Sequence, residues 1–364
     1  MLDEFLALCS RKGVSDIHFT SNRPVMVELH GQFEFIGSPL RDDEVRSISR
    51  ILYGQGNADV QILSGKPINP SYDVFNGDDR FRFRVNGHAI YIDGMRGLQI
   101  TVRSLPVTPP DYKDIGLTDK EIEWMSPRQG MVLVTGPTGS GKSTTLASVL
   151  KNLATSRSGK LITLEAPIEF VYDNVASERF LIVSSEIPRD IPTFARGVEE
   201  ALRRHPTHIL VGESRDAQTI AASVLAAQTG HCLYTTLHTN GVPSTVRRMV
   251  LTFPEEERSM MMVDIMETVR CIVSQTLVQK NGGGRVALRE ILPITREVRD
   301  FILDSGEGNI FQATQKALEM GGISMLDSAI HARDKGLIGD DVCEMIRREF
   351  GDIHGTRATE IYGD

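Results

Sequence analysis

The chain has only four cysteines and one tryptophan in 364 residues. Cys9, Cys232, Cys271 and Cys343 are far apart and form no CxxC pair, so neither a disulfide framework nor a cysteine-rich zinc site is available to them. They read as free thiols serving as small buried hydrophobes. A long apolar run is also missing: no stretch approaches the roughly 18 residues that a membrane span requires. Cationic surplus is absent too, since 40 Lys and Arg face 48 Asp and Glu for a formal charge of -8, which argues against broad neutralisation of nucleic-acid phosphates and leaves room only for a local basic patch. Neither a repeat nor a low-complexity tract interrupts the chain. The opening MLDEFLALCSRKG carries Asp3 and Glu4 and only an interrupted apolar stretch, a poor signal peptide, so the expected location is the cytoplasm.

What is present divides in two. Up to about residue 105, short segments such as SDIHFT, PVMVELHG, FRFRVNG and LQITVRSL alternate with Gly, Asn and Asp turns, which predicts an α+β domain on an antiparallel sheet. PVTPPDYKDIG, residues 106–116, has three prolines, which disfavour helix and central strand and suit an interdomain linker. Beyond it apolar runs precede helical stretches: MVLVTG before STTLASVLKNLA, then LITLEA, then HILVGE before DAQTIAASVLAAQ, then CLYTTLH. That alternation predicts an α/β domain on a mostly parallel sheet, over 117–290. QTLVQK and RVALREIL read as two strands joined by NGGG, and residues 291–364 as mainly helical.

GPTGSGKSTT, residues 136–145, breaks good strand and helix formers with three glycines. It fits GxxxxGK[ST] between an apolar strand and a helix, the context that makes this motif specific. Bare backbone there can turn successive amides inward, and the helix N-terminus adds its positive dipole end, which suits the oxygens of a nucleoside triphosphate. The nucleotide-binding candidates are Gly136, Pro137, Thr138, Gly139, Ser140, Gly141, Lys142, Ser143 and Thr144. Lys142 would reach the outer phosphates and the Ser143 hydroxyl would ligate Mg²⁺. No guanine-reading NKxD segment occurs, which favours ATP.

Hydrolysis also needs carboxylates, one near the metal and one to orient water. HILVGE ends in Glu213, and LITLEAPIEF carries Glu165 and Glu169 around a proline that turns the chain out of its sheet. In an open α/β sheet, ligands gather at the carboxyl ends of strands, where these acids fall. TGHCLYTTLHTNG places His231 and His238 on either side of an apolar strand, and their odd spacing argues against a shared metal. From the residues alone, either histidine could equally be a core residue or a phosphate sensor.

Together GPTGSGKSTTLA, EAPIEF, ALRRHPTHILVGESRDAQTI and TGHCLYTTLHT resemble the secretion ATPases of type II and type IV secretion systems and type IV pili, the PilT-like family. TLHTNGVPSTVRRMV and GGGRVALREIL bring the chain nearest the DotB/TraJ branch of type IVB secretion and conjugation motors. The resemblance implies a RecA-like P-loop NTPase domain with a smaller N-terminal PAS-like domain, joined into a homo-hexamer with each nucleotide between the two domains and close to a neighbouring subunit. It implies Mg²⁺ as cofactor, ATP as substrate, and docking onto inner-membrane secretion or conjugation proteins without sequence-specific nucleic-acid binding. Carried over by position, Glu169 is the catalytic glutamate of an aspartate box, Glu213 the Walker B acid, and His231 and His238 belong to a histidine box. Arg82, Arg84 and Arg103 become candidates to reach the phosphates. Many relatives have an aspartate where this chain has Ala166, so any role of that carboxylate must be absent or taken over. EVRDFILD, residues 297–304, matches the AIRNLIRE motif of retraction motors poorly, which weighs against pilus retraction.

Overall fold

A computed structural model describes residues 1–29, 32–173, 175, 177–351, 354–355 and 358–362. The chain forms two compact units, Met1–Thr108 with Pro167–Val171, and Pro109–Ala166 with Tyr172–Asp364.

The first unit comprises α1 (Leu2–Arg11), β1 (Val14–Thr20), β2 (Val25–Leu29), β3 (Gln32–Ile36), α2 (Asp42–Tyr53), α3 (Ala58–Leu63), β4 (Ser71–Asn76), β5 (Asp79–Ile92) and β6 (Met95–Leu105). Its strands form one antiparallel sheet in the order β3-β2-β1-β6-β5-β4. Alternation sends Phe83, Val85, Leu98, Ile100 and Val102 into one core with Leu6, Val45, Leu52 and Ile62 of the helices. In β1 a register shift between Val14 and Asp16 lets Val14, Ile17 and Phe19 share that core despite their unequal spacing. The long β5–β6 hairpin closes through Asp93 and Gly94, both at positive φ, the backbone that a two-residue hairpin turn with this sequence requires.

The second unit holds α4 (Asp119–Trp124), β7 (Gly130–Thr135), α5 (Lys142–Ser156), β8 (Gly159–Glu165), β9 (Phe180–Glu186), α6 (Phe194–Leu202), β10 (His208–Val211), α7 (Ala217–Gln228), β11 (Cys232–Leu237), α8 (Val242–Leu251), α9 (Glu255–Thr268), β12 (Val269–Gln279) and β13 (Arg285–Pro293). Helices α10 (Arg296–Asp304), α11 (Ile310–Gly321), α12 (Met325–Asp334), α13 (Asp340–Phe350) and α14 (Ala358–Tyr362) follow. The sheet order is β13-β12-β7-β11-β10-β8-β9; all neighbours are parallel except the edge strand β13. Strands β7, β10 and β11 are buried along their whole length, which is why they read as unbroken apolar runs. Met131, Leu133, Ile162, Leu164, Ile209 and Leu233 pack with α6 to α11 in one core. Strand β12 begins at Val269, earlier than QTLVQK suggests, because α9 runs directly into it with no turn residue between. A separate small core joins Val278 and Leu288 to α12 and α13.

All four cysteines are free and buried. Among the described residues no helix is long and apolar enough to cross a membrane.

One carboxylate ties the helical tail to the sheet. Glu290 of β13 is 5 % exposed, and its Oε1 accepts the Val242 amide at the start of α8 at 2.5 Å. Burial pushes Glu290 up to about 7, against the lowering effect of backbone bonds from Val242 and Met325. A carboxyl that ionises less readily in the native state than its ordinary 4.5 binds protons preferentially there, so native stability falls as pH rises from about 4.5 to about 7 and then levels off. Glu290→Gln keeps an acceptor for Val242 and abolishes this loss. Its thermal midpoint at pH 8 is expected to equal or exceed that of the parent, with the advantage vanishing at pH 5; an advantage that persists unchanged at pH 5 would refute the account.

Candidate functional site

Because β7, β11, β10 and β8 run parallel, the loops after them all leave at one sheet edge. The loop after β7 is the glycine-rich stretch that the motif marks as a candidate phosphate loop. Gly136 has φ 139° and a Cβ there would strike the Gln275 carbonyl oxygen; Gly141, the N-cap of α5, has φ 84°. Only glycine fits these positions without strain. Gly141 has no side chain to cap α5, so the unbonded amides of the first helical turn keep their capacity for an anion. Ser140 turns its N–H back to the Pro137 carbonyl, while its hydroxyl is buried with no hydrogen-bond partner among the described residues. Lys142 opens α5, is 8 % exposed, and donates from Nζ to the carbonyls of Gly136 at 2.8 Å and Pro137 at 2.9 Å. Those carbonyls offset an ammonium that sits at the wrong end of a helix dipole. Ser143 and Thr144 follow in the first turn of α5.

The loop after β10 carries Glu213 on a pinned backbone. Gly212 donates its N–H to Leu164 O at 2.7 Å and accepts the Thr236 hydroxyl at 2.6 Å; the Ser214 N–H reaches Thr236 O at 3.0 Å. Glu213 Oε2 pairs with Arg215 Nη2 at 2.6 Å and lies 3.8 Å from His238 Nε2. His238 follows β11, and its basicity is depressed first by burial and then by the positive charges of Lys142 and Arg215, with Glu213 opposing. Lys142, Glu213, Arg215 and His238 therefore act on one another at one edge. A depression of about 440 Å³ opens there, lined by Thr138, Ser214, Arg215, His238, Thr239 and Arg248 among others.

His231 is elsewhere. It precedes the six-residue β11, at the opposite sheet edge from His238 and roughly 20 Å away along the strand. Its Nδ1 lies 3.0 Å from Ala226 O and 3.2 Å from Thr229 Oγ1, the environment of a satisfied structural histidine. Glu165 ends β8 and is buried; its negative charge adds to the burial that raises Tyr172 far above the ordinary phenol.

Glu169 belongs with the first unit. There Arg82, 2 % exposed, donates from Nη1 to the Glu169 carbonyl at 3.0 Å and from Nε to Asp73 Oδ1 at 2.6 Å. Arg82 thus holds the backbone of the glutamate segment and is itself held, a commitment that its exposed-looking position in RFRFRVNG did not reveal. Arg84 and Arg103 face each other across β5 and β6 and are both exposed; Arg103 Nε bonds Asp16 Oδ1 at 2.7 Å. Like charges opposite one another cost stability unless offset, which Asp16 does for one of them.

The residues suit a magnesium nucleotide. Among the described residues no cluster of three or more His, Cys, Asp or Glu side chains could hold a metal ion. Mg²⁺ needs no such cage, since it is commonly held by one or two protein oxygens together with phosphate and water, and Ser143 and Glu213 offer oxygens of the required hard kind.

Residues 6–335 match the Type II/IV secretion system protein family. The chain belongs to this family of secretion ATPases. Three relatives are similar along nearly their whole length. The ATPase DotB of Legionella pneumophila is 41 % identical, with a TM-score of 0.89 over 96 % of this chain and 95 % of that one. A structure of the pilus retraction motor PilT with bound ADP is 31 % identical, with a TM-score of 0.80 over 95 % and 96 %. The type IV pilus retraction ATPase PilT of Pseudomonas aeruginosa is 34 % identical over 343 residues, 93 % of this chain and 94 % of that one. The fold of this secretion ATPase is thus the mixed α/β architecture of DotB and PilT, as its motifs imply. Two residues of its site escaped motif reading: Arg215, whose polar neighbours in GESRD resemble any solvated turn, and Gln275, hidden in an apolar strand.

In metal-free protein without nucleotide, the His238 ring is expected to titrate below the ordinary imidazole value of 6.5. Glu213→Gln should lower that midpoint further and Arg215→Met should raise it, since each removes a charge of known sign. Nuclear magnetic resonance of the ring protons reads both shifts, and a midpoint indifferent to the two changes would contradict this geometry.

Proposed function

We propose that this secretion ATPase is the hexameric, Mg²⁺-dependent motor of a type IVB secretion or conjugation apparatus, working at the cytoplasmic face of the inner membrane. The observation that carries the reading is the convergence of Lys142 with Glu213 and His238 at the edge where the phosphate loop emerges. ATP is the substrate. The first-turn amides of α5 and Lys142 receive its phosphates, and Lys142 exchanges the carbonyls of Gly136 and Pro137 for phosphate oxygens as charge develops. Ser143 and Glu213 hold Mg²⁺, which when bound neutralises charge on the phosphates. Glu169 orients or deprotonates the attacking water. His238, whose basicity is lowered by burial and then by its cationic neighbours, can in its neutral form accept one hydrogen bond and donate another, and so report whether the terminal phosphate is present. Of the three arginines that the resemblance singles out, Arg84 and Arg103 are the exposed ones, and Arg103 would have to share its guanidinium between Asp16 and an anionic ligand.

Membership of the type IVB branch is supported by the 41 % identity to DotB and by the GGGRVALREIL segment, which forms the turn and edge strand β13. A retraction-type motor is the second reading, favoured by the full-length similarity to PilT. EVRDFILD, which lies wholly on α10, weighs against it.

Lys142→Ala is expected to weaken ATP binding by more than about tenfold. Glu169→Gln should bind ATP like the parent and lose multiple turnover, measured as phosphate release. Parental turnover by the glutamine variant would remove Glu169 from the chemistry, and a parent that binds ATP without turnover would replace the motor with a nucleotide-gated assembly module.

A further inference from the structure

Gln275 stands in β12 one residue beyond Ser274, the ladder partner of Thr135 at the end of β7. That register sets it beside the phosphate loop at the point where the loop leaves the sheet. The residue is 2 % exposed, and both ends of its amide are hydrogen-bonded. Nε2 donates to the Ser140 carbonyl at 2.5 Å, while Oε1 accepts from Thr145 Oγ1 at 2.7 Å and from Arg289 Nε at 2.9 Å. A guanidinium can only donate, so the amide oxygen must face Arg289 and the amide nitrogen must face Ser140; the orientation is determined by the network.

The contacts run along the whole loop. The Gln275 carbonyl is the atom that a Cβ at Gly136 would strike, and Nε2 would lie 2.9 Å from a Cβ at Gly141. Start, middle and end of the glycine-rich curl therefore rest on one side chain and its own backbone. Arg289 is what holds that side chain. It is the direct ladder partner of Gln275, is 3 % exposed, donates from Nη2 to the Ile115 carbonyl at 2.9 Å, and receives the Ser328 hydroxyl's acceptance of its backbone N–H at 3.0 Å. Burial works against its charge and the carboxylate of Glu121 works for it.

A loop with three glycines loses more backbone freedom on ordering than one without, and a ligand must supply that cost unless the fold already has. We propose that Gln275, clamped by Arg289, is a positioning residue that builds the curl of the phosphate loop before phosphate arrives and so sets nucleotide affinity without touching the nucleotide. The inference rests on the reading of residues 136–144 as a triphosphate site and deepens it. The same network joins the loop to the Ile115 carbonyl and to α12, so the C-terminal helices support the curl through β13.

Gln275→Glu tests it. The carboxylate keeps both acceptor contacts, to Thr145 and Arg289, and replaces the donor to Ser140 O with a repelling oxygen. With a non-hydrolysable ATP analogue and Mg²⁺, calorimetry is expected to show affinity about tenfold below the parent. In steady state KM for ATP should rise about tenfold with kcat within about threefold, because the defect lies in forming the loop and not in the chemistry. Thermal midpoint without nucleotide should stay close to that of the parent. Thr145→Val, which removes one bond to the amide and leaves the others, is expected to lose two- to threefold in affinity and decides the matter if Gln275→Glu fails to fold. Parental affinity in the folded variant, or a collapse of kcat at unchanged KM, overturns the positioning role. A parent protein that does not bind the analogue sinks the triphosphate reading itself, and this inference with it.

Discussion

The parallel run of β7, β11, β10 and β8 is the constraint from which the site follows. Parallel strands need crossover connections, and those connections return every strand to the sheet in the same sense. Each strand therefore delivers its following loop to one edge. The phosphate loop, the Glu213 turn and the His238 loop are separated by as much as a hundred residues of chain and still meet. The strands can be this buried only because their residues are almost uniformly apolar, so the polar groups of the site are confined to the strand ends.

At that edge charge is balanced locally. Lys142 is solvated by two loop carbonyls, Glu213 is paired with Arg215, and the basicity of His238 is lowered by burial and then by the cations around it. Such a site is electrostatically satisfied yet responsive: any change in the partner of Lys142 would alter the field on His238. The surrounding backbone is held by hydrogen bonds between Gly212, Ser214, Leu164 and Thr236, so these rearrangements fall on side chains while the chain stays in place.

The glycine-rich loop, the apolar strands and the helical segments were legible because each is a local pattern with a local cause. Asp93-Gly94 is one of the Gly, Asn and Asp turns expected between the first strands, and its two residues take the positive φ that few other pairs tolerate. The start of β12 was not legible, since Thr268 passes into Val269 with no residue that breaks a helix, and burial against β7 decides the change. His231 and His238 looked equivalent in TGHCLYTTLHTNG, but the strand between them carries one to each end. Arg82 looked like its neighbour Arg84, yet only Arg82 faces Asp73 and the Glu169 carbonyl.

By itself the sequence determined the mixed α/β fold, the glycine-rich break between strand and helix, and the acids and histidines worth considering, because periodicity, glycine placement and motif spacing act over a few residues. Tertiary structure alone decided which of those residues meet, that Arg215 pairs with Glu213, and that an amide in β12 supports the loop made by residues more than a hundred positions earlier. The reason is sheet register: which residue lies beside which is set by the pairing of distant strands, and no local pattern carries that information.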